Sequence, residues 1–438
     1  MSRLRESGAW RRPAYRLYWT TFTLSSVGST MAAYALPMVV VVTLHGGPQD
    51  TARLAVAQSF GALLGAVASG FTVTPRGSRQ VMIGADIVRS LVQGAVPVLD
   101  LAGALMLWHL YAAAFLVALC SSFFGTAQAV VLPRIVAEGE IADANAKLWL
   151  GIGASLVAGP LLAGALAELT SPSAVIGIDG LTYVASAMAI RRLRDSRQAQ
   201  GLPSPGVARH VLLGSVAWSW RQRSVSALLA CRLGVAAFTG MAGTVAMYYR
   251  LDELGLSPAV VGLLATLTSP GFLIGPVATG VLVRHLGPGR VALAGALLLG
   301  LGSLALPAAR GSFLAVCAIL MFGGILADMG ALAYQAMDQT LLQIIVPVER
   351  RPQVVAFGSV LTQVGGIVGP VIGFMLSHSW PAVTILWISG AGLLLSPIPM
   401  AWTPLVQRIP PVADETRVHS ETAPPGGPAA PGAGADTL

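Results

Sequence analysis

Ser155-Leu156-Val157-Ala158-Gly159-Pro160-Leu161-Leu162-Ala163 returns 210 residues later as Gly365-Gly366-Ile367-Val368-Gly369-Pro370-Val371-Ile372-Gly373. Both copies sit inside long apolar runs. Both place small residues at every fourth position: Ser155, Gly159 and Ala163, then Gly365, Gly369 and Gly373. On a helix that spacing is one stripe. Such a stripe lets a neighbouring backbone come close, because no side chain holds it off. The same offset carries Gly70 and Gly77 onto Gly280 and Gly287. Single matches are expected by chance in a glycine-rich chain; several at one offset mark a duplicated unit.

The surrounding composition says where that unit lives. Of 438 residues, 55% are hydrophobic and 11% charged. Soluble domains carry about 25% charge, so a soluble fold of this size could not cover its surface with polar side chains. Hydrophobicity of this order also excludes disorder for most of the chain. The net charge of +8 does not point to nucleic acid, because the basic residues fall in short clusters between apolar runs. That is the pattern of a polytopic membrane protein. Cys120, Cys231 and Cys317 all lie in apolar runs and read as structural thiols, with no disulfide framework or zinc spacing.

Hydropathy gives twelve spans, near 17–42, 52–74, 81–102, 107–130, 146–169, 173–191, 226–249, 259–283, 290–309, 312–335, 353–376 and 381–402. The first is too long for a signal-peptide core and reads as retained. With the N-terminus inside, cytoplasmic segments hold 22 of the 27 basic residues. The outer loops then hold Arg53, Arg250 and Arg310, while Arg89 and Arg232 fall within spans. This asymmetry puts both termini in the cytoplasm. The chain divides into a six-helix bundle over 1–190, a linker over 191–224, a second bundle over 225–402 and a tail over 403–438. In the linker, Gly201 to Gly206 reads as a flexible break, and His210 to Arg223, with Trp218 and Trp220, as an amphipathic surface helix. The tail, rich in proline, glycine and alanine, reads as disordered. The expected class is an all-α polytopic membrane protein: twelve transmembrane helices in two pseudo-symmetric six-helix bundles. Duplicated halves of that kind are a transporter architecture, with substrate bound near the midplane between them.

At this point the chain resembles the major facilitator superfamily over its whole length. That family's loop between spans 2 and 3 reads Gly-x-x-x-Asp-Arg-x-Gly-Arg-Arg. Here Gly70, Gly77 and Arg79 match, whereas Thr74 stands at the acid and Pro75 at the first arginine. The second copy, Gly280 to Arg290, also lacks the acid. The resemblance therefore implies the fold but not the usual cytoplasmic latch. Tyr15-Arg16-Leu17-Tyr18-Trp19, Asp86-Ile87-Val88-Arg89, Leu132-Pro133 with Ala142-Asp143-Ala144-Asn145-Ala146, and Ile178-Asp179-Gly180-Leu181-Thr182-Tyr183 resemble the drug and siderophore exporter branch. Gly159-Pro160 resembles its antiporter motif. Gly28-Ser29 departs from the Gly-Asp common in its span 1, and the span 4 arginine of many proton antiporters is absent.

Ionisable residues inside a span are costly unless paired or wetted, so each is a candidate for proton coupling or gating. Asp86 and Arg89 stand three apart on span 3, as an ion pair or as a gate replacing the missing latch acid. Asp179, two turns into span 6, either fixes packing or carries a proton. Arg232, early in span 7, snorkels to headgroups or draws an anionic substrate. Asp328 is the strongest candidate. It lies about 24 Å along span 10, in the inner half of the bilayer, with no basic residue within a turn. It reads as able to take up and release a proton.

The resemblance implies a central cavity lined by spans 1, 4, 7 and 10. Substrate candidates there are Thr23, Thr30 and Tyr34, then Phe124 and Gln128, then Phe238 and Met241, then Phe322 and Tyr334. Aromatic and methionine side chains make an adaptable apolar wall suited to an amphipathic organic solute. Lys147, the one lysine, has no Walker A context, which argues against ATP-driven transport. The scattered histidines argue against an intramembrane enzyme. The reading is an exporter of small amphipathic molecules of drug, antibiotic or siderophore type. It works by alternating access and proton antiport, as a monomer in the inner (plasma) membrane. It has no cofactor or metal, and its partners are the substrate, protons and the bilayer, not nucleic acid. An importer and a non-transporting sensor are the alternatives.

Overall fold

A computed structural model describes residues 8–74, 77–137, 140–192, 218–347 and 350–404. The expected flexible break, most of the amphipathic linker helix and the tail from 405 onward lie outside the described residues, as do Pro75 and Arg76. The described chain is all helical. Span 1 is Pro13–Met38, continued by one π turn, Val39–Thr43. Spans 2 to 6 are Pro48–Thr72, Ser78–Leu101, Leu107–Ile135, Ile141–Leu169 and Pro172–Arg192. Span 7 is Arg223–Tyr248 with a π turn at Tyr249–Glu253. Span 8 comes in two pieces, Pro258–Thr268 and Pro270–Leu286. Spans 9 to 12 are Pro288–Ser303, Phe313–Ile345, Arg351–Leu376 and Ala382–Leu395. Among the described residues, eleven helices are long and apolar enough to cross a membrane, and the first piece of span 8 supplies a shorter apolar helix.

The 210-residue offset extends from motif to geometry. It maps the start and end of span 1 onto those of span 7, and one π turn onto the other. It also pairs the starts of spans 2 and 8, 3 and 9, 5 and 11, and 6 and 12. Packing repeats as well: spans 1 with 5, 2 with 4 and 3 with 6 correspond to 7 with 11, 8 with 10 and 9 with 12. Proline opens several helices at a position whose N–H has no intrahelical partner. Gly287 joins spans 8 and 9 at φ 79°, a backbone state that a Cβ would strain.

Two expectations are corrected. Span 8 is not continuous: Pro270 lacks a donor and its ring crowds the preceding turn, so the helix restarts there. Span 10 does not end near 335 but runs to Ile345, 33 residues. No breaker intervenes before Pro347, and Asp338 remains in the helix because it has a buried partner.

We call the end bearing the start of span 1 and the loops after spans 2, 4, 6, 8 and 10 the basic face. On the opposite face one buried apolar core is continuous across both halves, from Met38, Val39 and Leu110 to Val245, Tyr249 and Leu306. Toward the basic face each half keeps its own core, Tyr15 with Met82 and Val131 in one, Leu228 with Val291 and Leu341 in the other. The hydrogen bonds joining the halves among the described residues also lie toward the opposite face. The Thr266 hydroxyl donates to the Val157 carbonyl at 3.0 Å, the Ala259 amide to Glu168 at 3.3 Å, and Gln49 to the Ser377 carbonyl at 3.5 Å. Arg53 lies over the Phe374 ring at 5.5 Å. There Gly164 and Gly262 let spans 5 and 8 touch backbone to backbone. The molecule is thus closed between its halves on the face opposite the basic one.

Candidate functional site

A cavity of about 410 Å³ lies between the halves. Its wall is mostly alanine, glycine and leucine. Its polar groups are Thr30 and Tyr34 from span 1, Thr239 and Arg250 from span 7, Thr268 from span 8, Ser303 from span 9 and Asp328 from span 10. The break in span 8 puts the Thr268 hydroxyl beside the Asp328 carboxyl. Gly271, just past the break, lets the second piece of span 8 pass Asp328, where a Cβ would come within 3.0 Å of the Asp328 Cβ. One carboxylate and one guanidinium therefore share a largely apolar chamber.

Asp328 and Arg250 both depart from expectation. Asp328 is sixteenth of the 33 residues of span 10, at the middle of a helix longer than expected. It lacks a base on its own helix, yet span 7 brings Arg250 into the same cavity. Arg250 is not in an outer loop: the π turn keeps it helical and turns it inward.

A second polar group is buried inside the first half. Asp86 is ion-paired with Arg89 on span 3, and both are buried. The Arg89 guanidinium lies over the rings of Tyr183 at 4.1 Å and Phe124 at 4.6 Å, and reaches Ser121 at 3.4 Å. Asp179 on span 6 is fully buried and takes the Thr182 hydroxyl at 3.0 Å. Tyr183 and Ser29 bond hydroxyl to hydroxyl at 3.0 Å. Of these side chains, Ser29, Ser121, Asp179 and Tyr183 border a second cavity, of about 450 Å³.

The third charged group joins spans 7 and 10. Arg232 does not snorkel; its Nε donates to Asp338 at 2.8 Å, with Asp338 buried and Arg232 largely so. Gly358 of span 11 makes room for the guanidinium. A lone buried charge is strongly destabilising, so the two side chains hold each other in place.

At the basic face, Arg79 of the loop motif donates to the carbonyls of Ile190 and Arg191. It thereby satisfies acceptors left open at the end of span 6. Arg12 pairs with Glu140 at 2.8 Å, Tyr15 donates to the Ala144 carbonyl at 2.8 Å, and Trp19 to that of Lys147 at 2.7 Å. The Ala137 amide, and then Arg12, hold the Glu140 carboxyl below its usual range.

Of the other candidates, Thr30 and Tyr34 border the central cavity. Thr23 packs on Gly151 of span 5, and Met241 is buried against span 11. Phe238 fills the space left by Gly392 of span 12. Phe124 sits under Arg89, and Tyr334 is buried beside Cys231. Gln128 is half-buried and borders neither cavity. Phe322 is 65% exposed, on the face of span 10 turned away from Leu320, Gly324 and Asp328. The sequence reading missed Arg250 and Thr268 at the cavity, and Asp338.

A bacterial homologue of the iron transporter ferroportin, in its inward-facing state, superposes with a TM-score of 0.69 at 19% identity, over 90% of this chain and 99% of that one. The outward-facing structure of a bacterial ferroportin homologue gives 0.55, over 89% and 98%. The nucleoside transporter NupG gives 0.72 at 9% identity, over 89% and 98%. At these identities the likeness is one of fold. Comparison with curated protein sequences gives no match. The Major Facilitator Superfamily profile matches residues 18–251 and 228–427, which together take in nearly all of the helical chain, and the protein belongs to that superfamily of membrane transporters.

Proposed function

We propose that this secondary transporter exports small amphipathic organic molecules by alternating access, in exchange for protons. The observation that carries the reading is the cavity between the halves. It is walled by small apolar residues with a few hydroxyls, and one carboxyl, Asp328, and one guanidinium, Arg250, line it. A small chamber of this kind fits an organic solute. Three of the similar structures are of a metal transporter or of homologues of an iron transporter, but among the described residues no three His, Cys, Asp or Glu side chains come together. An organic substrate is therefore preferred.

In this reading the basic face is cytoplasmic, in the inner (plasma) membrane, and the conformation is open to the cytoplasm and closed outside. Substrate enters from the inside and settles among Thr30, Tyr34 and Thr239. Asp328, ionised, faces the charge of Arg250 across the chamber. Once the outer side opens, Asp328 takes a proton at its carboxyl and ceases to attract Arg250. The return step carries the proton inward and releases it there. The break at Ser269-Pro270 gives span 8 a flexible joint beside that carboxyl.

Two experiments test this. A panel of fluorescent dyes, followed in cells that express the protein, should show at least one extruded against its gradient; accumulation instead of extrusion would favour an importer. Reporters fused after Ser379 and after Ala413 should read as external and cytoplasmic respectively; the reverse pattern overturns the orientation.

A further inference from the structure

We propose that the first half holds a second ligand site, for a small organic molecule bearing a protonated primary or secondary amine, in the cavity beside Asp179 and Gln93. The cavity measures about 450 Å³ and lies between spans 1, 2, 3, 4 and 6. That is far more room than a bare ion or a single water needs, and it is within the range of small-molecule sites. One wall is apolar: Ala113, Ala114, Val117 and Ala118 of span 4.

The polar wall is unsatisfied. Asp179 is fully buried; its Oδ1 accepts from Thr182, and its Oδ2 has no partner. Gln93 is 5% exposed, and its Oε1 has no partner either. Both side chains border the cavity. Gln93 neighbours the Asp179 carboxyl, and a buried acceptor left unmet costs free energy, so an N–H donor placed between the two would serve both.

Charge points the same way. Two carboxylates, Asp86 and Asp179, face one guanidinium, Arg89, and Asp86 has that guanidinium as its ion-pair partner. The other titratable groups packed around them, Tyr18, Tyr183 and Cys120, are neutral when protonated. With Asp179 ionised, the group is one positive charge short in a low-dielectric setting, where an unbalanced charge is costly. An ammonium head supplies both the missing charge and the missing donors, and its apolar body lies on the alanine wall. Gly28 keeps span 1 clear of this corner, since a Cβ there would come 2.7 Å from the Thr182 hydroxyl.

This site is separate from the chamber of Asp328 and rests on the transport reading only for how the ligand arrives. Binding is therefore measured without a gradient, on the full chain in lipid nanodiscs, by titration calorimetry. Phenethylamine should bind saturably. Phenethyl alcohol, without the charge, and the trimethylammonium analogue, without N–H donors, should each bind at least about tenfold more weakly. Asp179→Asn should weaken amine binding by a similar factor. Ala118→Phe should abolish it by filling the cavity without altering a charge, with thermal unfolding as the folding control. The loss should follow Asp179 and not Asp328→Asn. No saturable amine binding by the parent protein overturns the proposal. So does binding retained in a folded Ala118→Phe, or a loss that follows Asp328 instead. Amine binding that persists when proton-driven transport fails would remove the transport reading and leave this site standing.

Discussion

Gly369 and Gly366 lie three residues apart on span 11, and exchanging each for alanine should have opposite consequences. A Cβ on Gly369 would fall on the Ala237 carbonyl of span 7, 2.8 Å from its carbon and 2.9 Å from the Met241 amide nitrogen. Those are backbone atoms, so relief requires the two helices to separate. A Cβ on Gly366 meets nothing within 4 Å. Both substitutions gain the same helix preference, about 0.5–1 kcal/mol, which cancels in the comparison. What remains is the overpacking cost at Gly369, about 1–3 kcal/mol. Thermal denaturation of the purified variants in one detergent should therefore rank Gly366→Ala at or above the parent and Gly369→Ala below both. Gly369→Leu should abolish transport. Equal midpoints for the two alanine variants would refute the close approach of spans 7 and 11.

Other predictions follow from the charged groups. Asp338→Leu leaves Arg232 buried and unpaired and should cost about 3–5 kcal/mol. The double variant Arg232→Met with Asp338→Leu should regain most of that, and thermal stability no better than the single variant's would contradict the pairing. Glu140 has a carboxyl held below its ordinary 4.5. Its tie to Arg12 is therefore complete above that pH and lost as pH falls through the lower folded value. Because Trp19, about two turns beyond Arg12, bonds to the same segment, acid should alter tryptophan emission in the parent more than in Glu140→Gln. An identical change in both would exclude Glu140 as its source.

Much of the architecture was legible because the membrane allows few solutions. Apolar runs must become helices there, and the repeat of Gly159-Pro160 at Gly369-Pro370 already marked two halves. The errors came from reading each span alone. Arg250 looked like a loop residue, being charged and next to Asp252 and Glu253. Its counterpart at the 210-residue offset is Val40, inside an unbroken valine run. Asp338 looked like the start of a loop, yet its counterpart is Gln128, within span 4. Reading charges through the repeat would have placed both inside the membrane. The pairing of Arg232 with Asp338 across helices was beyond that, since local spacing says nothing about residues 106 apart. Likewise, burial of Met241 against span 11 and exposure of Phe322 depend on helix rotation. Spans that are apolar all round leave no amphipathic stripe to fix it.

The central claim is that Asp328, opposite Arg250, carries the coupling proton. It is tested most directly by Asp328→Asn in proteoliposomes, comparing substrate counterflow with accumulation driven by an imposed pH gradient. Asparagine keeps the shape of the protonated side chain but cannot release the proton. Counterflow should persist while gradient-driven accumulation disappears. Gradient-driven accumulation at the parental rate, or equal loss of both activities, would contradict the claim.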